Sequence, residues 1–204
     1  MTGVLVWLVV ALALVVVVIR RRSVAVALVT AQAVVLAVVA FAEARDASEV
    51  VAACALLLRG LGLAVLFLML IRVTRESAPV RAYVSPFMRA AVAVVFALVL
   101  TWLMPSFGLE SREAERAVLA LLAFGVAIVA TRRATLFLVL GVVTVENALG
   151  LAALTQPGGS SLVIELGVTL DLLLIAVVAG VFHHLIFAHF GAGDSAALRS
   201  LHDR

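Results

Sequence analysis

The chain has 204 residues, of which 66% are apolar and only 13% are charged. Soluble domains have about 45–50% apolar and about 25% charged residues, so this composition excludes a water-soluble globule. A single membrane anchor of about 20 residues would not account for it either. Several membrane-spanning segments are therefore expected.

Two residue counts exclude several kinds of chemistry. All 15 residues counted as lysine or arginine are arginine, so a Schiff-base lysine and a phosphate-binding-loop lysine are both excluded. Cys54 is the single cysteine, and this chain alone therefore supplies neither an iron–sulfur cluster nor a structural zinc site. We expect no catalytic residue, metal or cofactor in the chain, and any redox metal would belong to partner subunits.

Seven apolar runs approach or exceed the length of a membrane span, and each is bounded by charge, proline or glycine. They cover residues 3–19, 23–43, 50–71, 89–105, 115–131, 134–155 and 162–189. Valine is abundant in them, but the need to satisfy backbone hydrogen bonds in lipid favours helices over strands. The prediction is an all-α, seven-helix membrane domain over residues 1–190, followed by a flexible cytoplasmic tail over residues 191–204.

The arginines between the runs predict the orientation of the chain. One set of connections and the tail contain eleven of them, whereas the alternate set contains three. The first set is Arg20, Arg21, Arg22, Arg72, Arg75, Arg81, Arg89, Arg132, Arg133, Arg199 and Arg204, and the second is Arg45, Arg112 and Arg116. Because basic loops remain cytoplasmic, the N-terminus is predicted outside and the C-terminus inside. The basic charge is thus a topology signal, and no nucleic-acid partner is expected.

Other polar residues near the span ends have simpler interpretations. Trp7 and Trp102 are predicted to anchor at the outer interface. The acids before and at the start of the fifth span are predicted to form a solvated helix start; they are Glu110, Glu113 and Glu115.

Four runs contain strongly polar residues at similar depth. From the helical rise, Gln32 and Asp171 lie about 14 Å from one end of their spans, and Arg59 and Glu146 lie about 18 Å from one end. Asn147 follows Glu146 directly. In a hydrocarbon layer of about 30 Å, all of them lie close to the midplane.

Intramembrane ionisable groups are costly and usually functional, so we favour proton or ion conduction. Two structural alternatives remain open. Gln32 could serve only to pack helices together, and the charged residues could form a buried ion pair that fixes the bundle. Glu165, near the outer face, is either a gate or an interfacial acid, and Glu43 has the same ambiguity. The histidines of the last span have two possible roles, a proton relay or an interfacial contact. They are His183, His184 and His189.

Residues 132–153, RRATLFLVLGVVTVENALGLAA, resemble the second helix of the K-type subunit of respiratory complex I. The pattern Glu146-Asn147 followed by Glu165-x-Gly167-x-x-x-Asp171 is more similar to component E of hydrogenase-4 and related formate hydrogenlyase complexes. The K-type glutamate falls at Val143, one turn earlier, which favours the hydrogenase-type family. The resemblance covers residues 113–190 and thins in the first half to Ala31-Gln32 and a basic residue, where the family has lysine and this chain has Arg59.

The resemblance implies a non-catalytic membrane subunit of a complex I-like assembly in a prokaryotic cytoplasmic membrane. Its implied partners are antiporter-like and quinone-module-like subunits and a cytoplasmic hydrogenase or related redox arm, together with the lipid bilayer. The implied proton or sodium pathway uses Glu146, Asp171, Arg59, Gln32, Asn147 and Glu165. A subunit of a multi-component cation/proton antiporter and a purely structural scaffold remain the alternatives.

Overall fold

The structure is a computed structural model and describes residues 3–74 and 84–156, together with the isolated residues 177, 180 and 181. Six helices lie in the two continuous ranges: α1 (Gly3–Val18), α2 (Arg22–Glu43), α3 (Ala47–Thr74), α4 (Pro86–Leu103), α5 (Arg112–Thr131) and α6 (Thr135–Leu154). They confirm the predicted all-α class and correspond closely to the first six predicted runs. The seventh run, 162–189, lies outside the described residues apart from those isolated positions, as does the tail.

Five of these helices, α2 to α6, are long and apolar enough to cross a membrane. The first, α1, is more apolar than the others but has only 16 residues. At about 1.5 Å per residue it reaches about 24 Å, which is shorter than a typical hydrocarbon layer. The described part of the chain is therefore a multi-pass membrane bundle.

Local capping determines where three of the helices begin. The Ser85 hydroxyl accepts a hydrogen bond from the Met88 amide at 3.2 Å, and the Ser111 hydroxyl accepts from the Ala114 amide at 3.1 Å. At α3, an Asp46 carboxylate oxygen accepts from the Glu49 amide at 2.9 Å. Each oxygen satisfies an amide that the helix itself leaves without a partner.

The helices pack through small residues, because lipid provides no hydrophobic drive for helices to associate and close approach must supply the attraction. Two glycines meet at a close crossing of α5 and α6, where a Cβ atom added to Gly125 would lie 2.8 Å from the Gly141 carbonyl oxygen. In α4, the buried positions Arg89, Ala93 and Ala97 form a single stripe that faces α1 and α5. Larger apolar side chains cover the outside of the bundle.

The two ends of the bundle differ in charge. We define the arginine end by seven described residues, Arg20, Arg21, Arg22, Arg72, Arg89, Arg132 and Arg133, and the acidic end by Glu43, Asp46, Glu49, Glu110, Glu113 and Glu115 with Arg45, Arg112 and Arg116. Trp7 and Trp102, both exposed on the bundle surface, lie toward the acidic end. The separation agrees with the alternation of basic connections in the sequence.

Candidate functional site

Two amide side chains meet in the interior of the bundle. Asn147 Nδ2 on α6 donates to Gln32 Oε1 on α2 at 3.3 Å, and Gln32 Nε2 donates to the Val9 carbonyl of α1 at 3.0 Å. Both residues have 0% exposure. The chain of hydrogen bonds joins three helices far from either end, so it is a buried polar connection in an otherwise apolar core.

The hydrogen bonding of Asn147 is incomplete. Its Oδ1 atom is buried and accepts no hydrogen bond from the residues that the structure describes. An unsatisfied buried acceptor costs about 1–3 kcal/mol. This oxygen is therefore available to a donor such as a water molecule.

Small residues bring α3 to the same level. Gly60 lies so close to α2 that an added Cβ would be 2.5 Å from the Cβ of Ala33, the residue after Gln32. Arg59 precedes Gly60 and is 6% exposed. The half-buried Glu146 precedes Asn147, so α2, α3 and α6 all present polar residues here. We call Gln32, Arg59, Glu146 and Asn147 the polar layer.

A small, mostly apolar cavity adjoins the polar layer. A cavity of about 10 Å³ lies between α2, α3 and α6, with walls that include Val29, Ala33 and Val143. Its one polar wall residue is Thr30, whose hydroxyl donates to the Val26 carbonyl at 2.8 Å. A cavity of this volume is near the minimum for one water, which would also need two or more polar partners. The cavity thus places mostly apolar walls between the polar layer and the arginine end.

Four of the six predicted pathway residues belong to the polar layer. The other two, Glu165 and Asp171, lie outside the described residues, as do His183, His184 and His189. Within the described ranges, no three histidine, cysteine, aspartate or glutamate side chains come together in a way that would hold a metal ion.

Two arginines that the sequence assigns to cytoplasmic connections are buried. Arg132 does lie in the connection between α5 and α6, whereas Arg89 lies inside α4, so the assignment is wrong for Arg89. Arg89 has 0% exposure and Arg132 has 4%, so Arg59 is not the only buried arginine. Arg89 Nη1 donates to the Val17 carbonyl at 3.2 Å, and Arg132 Nη2 donates to the same carbonyl at 3.0 Å. The helix starting at Pro86 places Arg89 one turn inside α4, beneath the end of α1.

Together these guanidinium groups cap the C-terminal end of α1. Arg89 Nη2 also donates to the Val18 carbonyl at 3.4 Å, and Arg132 Nη2 also donates to the Ile19 carbonyl. The guanidinium carbon of Arg132 lies 4.1 Å from the centre of the Phe137 ring. Carbonyls at a helix end have no intrahelical partner and carry partial negative charge, so the two cations satisfy them and join α1 to α4 and α5.

One of the three acids at the start of α5 also differs from the prediction. Glu115 is buried rather than solvated, because one of its carboxylate oxygens accepts from the Ser106 hydroxyl at 2.6 Å and from the Gly108 amide at 3.0 Å. The exposed Arg112 lies 3.5 Å from its other oxygen. Glu113 remains exposed, as expected for a solvated helix start.

The sequence contains only a weak sign of these buried charges. Arg89, Ala93 and Ala97 recur at the four-residue spacing of one helix face, which is compatible with burial. Arginine next to a span is nevertheless the ordinary signature of a cytoplasmic loop, so the sequence favours a loop position over a buried one.

The chain was compared with protein-family models, with curated proteins and with solved structures. It matches none of them.

Proposed function

We propose that the chain is a non-catalytic membrane subunit whose polar layer contributes to proton translocation driven by partner proteins. The observation that carries the proposal is the buried connection from Asn147 to Gln32 directly beside Glu146. Hydrogen-bonded amides alone would serve as packing, but an adjacent acid adds a group that exchanges a proton. Intramembrane acids of this kind are most often functional.

The proposed roles follow from the chemistry of each side chain. Glu146 carries the proton, because its carboxyl group exchanges a proton whereas the amides of Gln32 and Asn147 do not. Arg59 remains protonated at all physiological pH values, so its role is a fixed positive charge. Burial favours a neutral carboxyl group and a nearby cation favours a carboxylate, so small changes in geometry would load or release the proton.

Gln32 and Asn147 position the pathway. The hydrogen bond between them orients both amides, and the hydrogen bond to the Val9 carbonyl fixes Gln32 against α1. Asn147 Oδ1 is left as an acceptor for water next to Glu146. Because the neighbouring cavity is small and mostly apolar, proton passage toward the arginine end requires that water enters or that the helices move.

The resemblance to hydrogenase-4 component E supports redox-driven translocation in a prokaryotic cytoplasmic membrane. In this proposal the seventh span supplies Asp171 and Glu165 to the same pathway. The arginine end faces the cytoplasm, as basic connections do, where a hydrogenase or related redox arm would bind. Antiporter-like and quinone-module-like subunits would cover the sides of the bundle.

The test uses the intact assembly purified through a tag on this chain and reconstituted in vesicles that enclose a pH-sensitive dye. Glu146→Gln is expected to preserve electron transfer and to abolish most proton uptake. Glu113→Gln, an exposed glutamate at the acidic end, is the matched control and is expected to pump normally. Undiminished pumping by Glu146→Gln would refute the proposal in favour of a scaffold.

Cation dependence separates redox-driven pumping from the antiporter alternative. Redox-driven translocation requires an electron donor and stops when the donor is omitted. Proton movement that follows an imposed sodium gradient without a donor would instead identify an antiporter subunit. Identification of the co-purified proteins by mass spectrometry provides the same distinction independently.

A further inference from the structure

Four residues of the arginine end, Arg20, Arg21, Arg89 and Arg132, form no ion pair with an aspartate or glutamate among residues 3–74 and 84–156. The two that are buried, Arg89 and Arg132, bond to backbone carbonyls of α1. A helix C-terminus carries only about half an elementary negative charge, so it does not neutralise two guanidinium groups.

The cations of this end also act on one another. Burial, followed by the charges of Arg89 and Arg20, lowers the pKa of Arg132 to about 9. Arg132 is therefore still protonated at neutral pH. Arg132 is thus a buried cation that the positive charges of Arg89 and Arg20 destabilise.

Several guanidinium donors remain unused. Arg89 Nε, Arg132 Nε and Arg132 Nη1 are buried and have no hydrogen-bond acceptor among residues 3–74 and 84–156. Arg20 and Arg21 are exposed in the connection between α1 and α2, directly after the carbonyls that Arg89 and Arg132 cap. Buried positive charge thus lies behind an accessible pair of arginines.

We propose that this end binds a phosphate-bearing anion, held by Arg20 and Arg21 and attracted by the field of Arg89 and Arg132. Guanidinium groups match the two-oxygen edge of a phosphate group. In a membrane bundle the phosphodiester group of an anionic phospholipid lies at the height of a helix end, and basic groups there bind such headgroups. Inorganic phosphate offers the same chemistry from solution.

The experiment measures thermal stabilisation of the full chain in neutral detergent. Phosphatidylglycerol, phosphatidylcholine and inorganic phosphate are titrated separately at constant ionic strength. We expect phosphatidylglycerol to stabilise the protein and phosphatidylcholine to have little effect. Equal stabilisation by both lipids, with no response to inorganic phosphate, would overturn the proposal.

The Arg20→Gln/Arg21→Gln variant tests the location of the site. A basic residue near an anionic surface contributes about 1 kcal/mol, which is about fivefold in affinity, so the double variant should bind about 25-fold more weakly. Arg45→Gln/Arg116→Gln removes two exposed arginines from the acidic end and should bind as wild type. Equal weakening of both variants would show nonspecific attraction and refute the assignment.

The response to inorganic phosphate distinguishes the two sources of the anion. Stabilisation by phosphatidylglycerol alone, lost in Arg20→Gln/Arg21→Gln, supports a lipid headgroup site. Stabilisation by inorganic phosphate alone, lost in the same variant, supports a site for the free anion. Circular dichroism confirms the fold of each variant, and Arg21→Gln alone, with an expected effect of about fivefold, replaces a double variant that fails to fold.

Discussion

Replacement of Gly125 by alanine tests whether the close crossing of α5 and α6 holds the bundle together. The added Cβ would lie 2.6 Å from Val145 Cγ2 and 2.8 Å from the Gly141 carbonyl oxygen. The second of these contacts is with backbone, so a side-chain rotation does not relieve it. The helices must separate, which also displaces Val145, the residue before Glu146.

The change in the free energy of unfolding expected for Gly125→Ala combines two opposing effects. Overpacking of a tight interface costs about 1–3 kcal/mol, whereas alanine in place of glycine within a helix gains about 0.5–1 kcal/mol. Gly150, in α6, has nothing within 4 Å of an added Cβ. Gly150→Ala therefore measures the helix-propensity gain alone, and its stability should exceed that of Gly125→Ala by about 1–3 kcal/mol.

The assay is reversible unfolding in mixed micelles, followed by far-ultraviolet circular dichroism. Wild type, Gly125→Ala and Gly150→Ala are compared under identical detergent composition. We expect Gly150→Ala to be slightly more stable than wild type and Gly125→Ala to be less stable. Equal free energies of unfolding for the two alanine variants would refute the close crossing.

Two further predictions concern hydrogen bonds. Gln32→Met and Asn147→Leu each remove the hydrogen bond between the two buried amides, so a double-mutant cycle in the same unfolding assay should give a coupling of about 0.6 kcal/mol and at most about 1.7 kcal/mol; additive effects would contradict the contact. At the start of α3, hydrogen bonds from the Glu49 amide and the Ser48 hydroxyl lower the pKa of Asp46 from its ordinary value. Its carboxylate therefore stabilises the fold at pH values above the unfolded-state pKa. That contribution is lost as the pH falls through the folded-state pKa. Asp46→Asn retains a good cap, so its Tm should be lower than that of wild type at neutral pH and converge with it in acid; a pH-independent difference would contradict the assignment.

The amino-acid sequence was sufficient for the fold class and for the positions of six helices. Runs of apolar residues in lipid have few structural options, because every backbone group must find a partner within the segment. The helices α1 to α6 consequently follow the predicted runs closely. The level of the polar residues also follows from the sequence, since the helical rise is constant.

Contacts between helices required the tertiary structure. Sequence position placed Gln32 and Asn147 at similar depth, but only the packing of α2 against α6 joins them by a hydrogen bond. Arg89 illustrates the difference most clearly, because a basic residue beside a span reads as a loop position. Its burial depends on the carbonyls of α1, residues far away in sequence. The length of the apolar runs and the positions of the charges therefore determined which segments enter the membrane. The partners of the polar groups depended instead on which helix ends and faces the fold brings together.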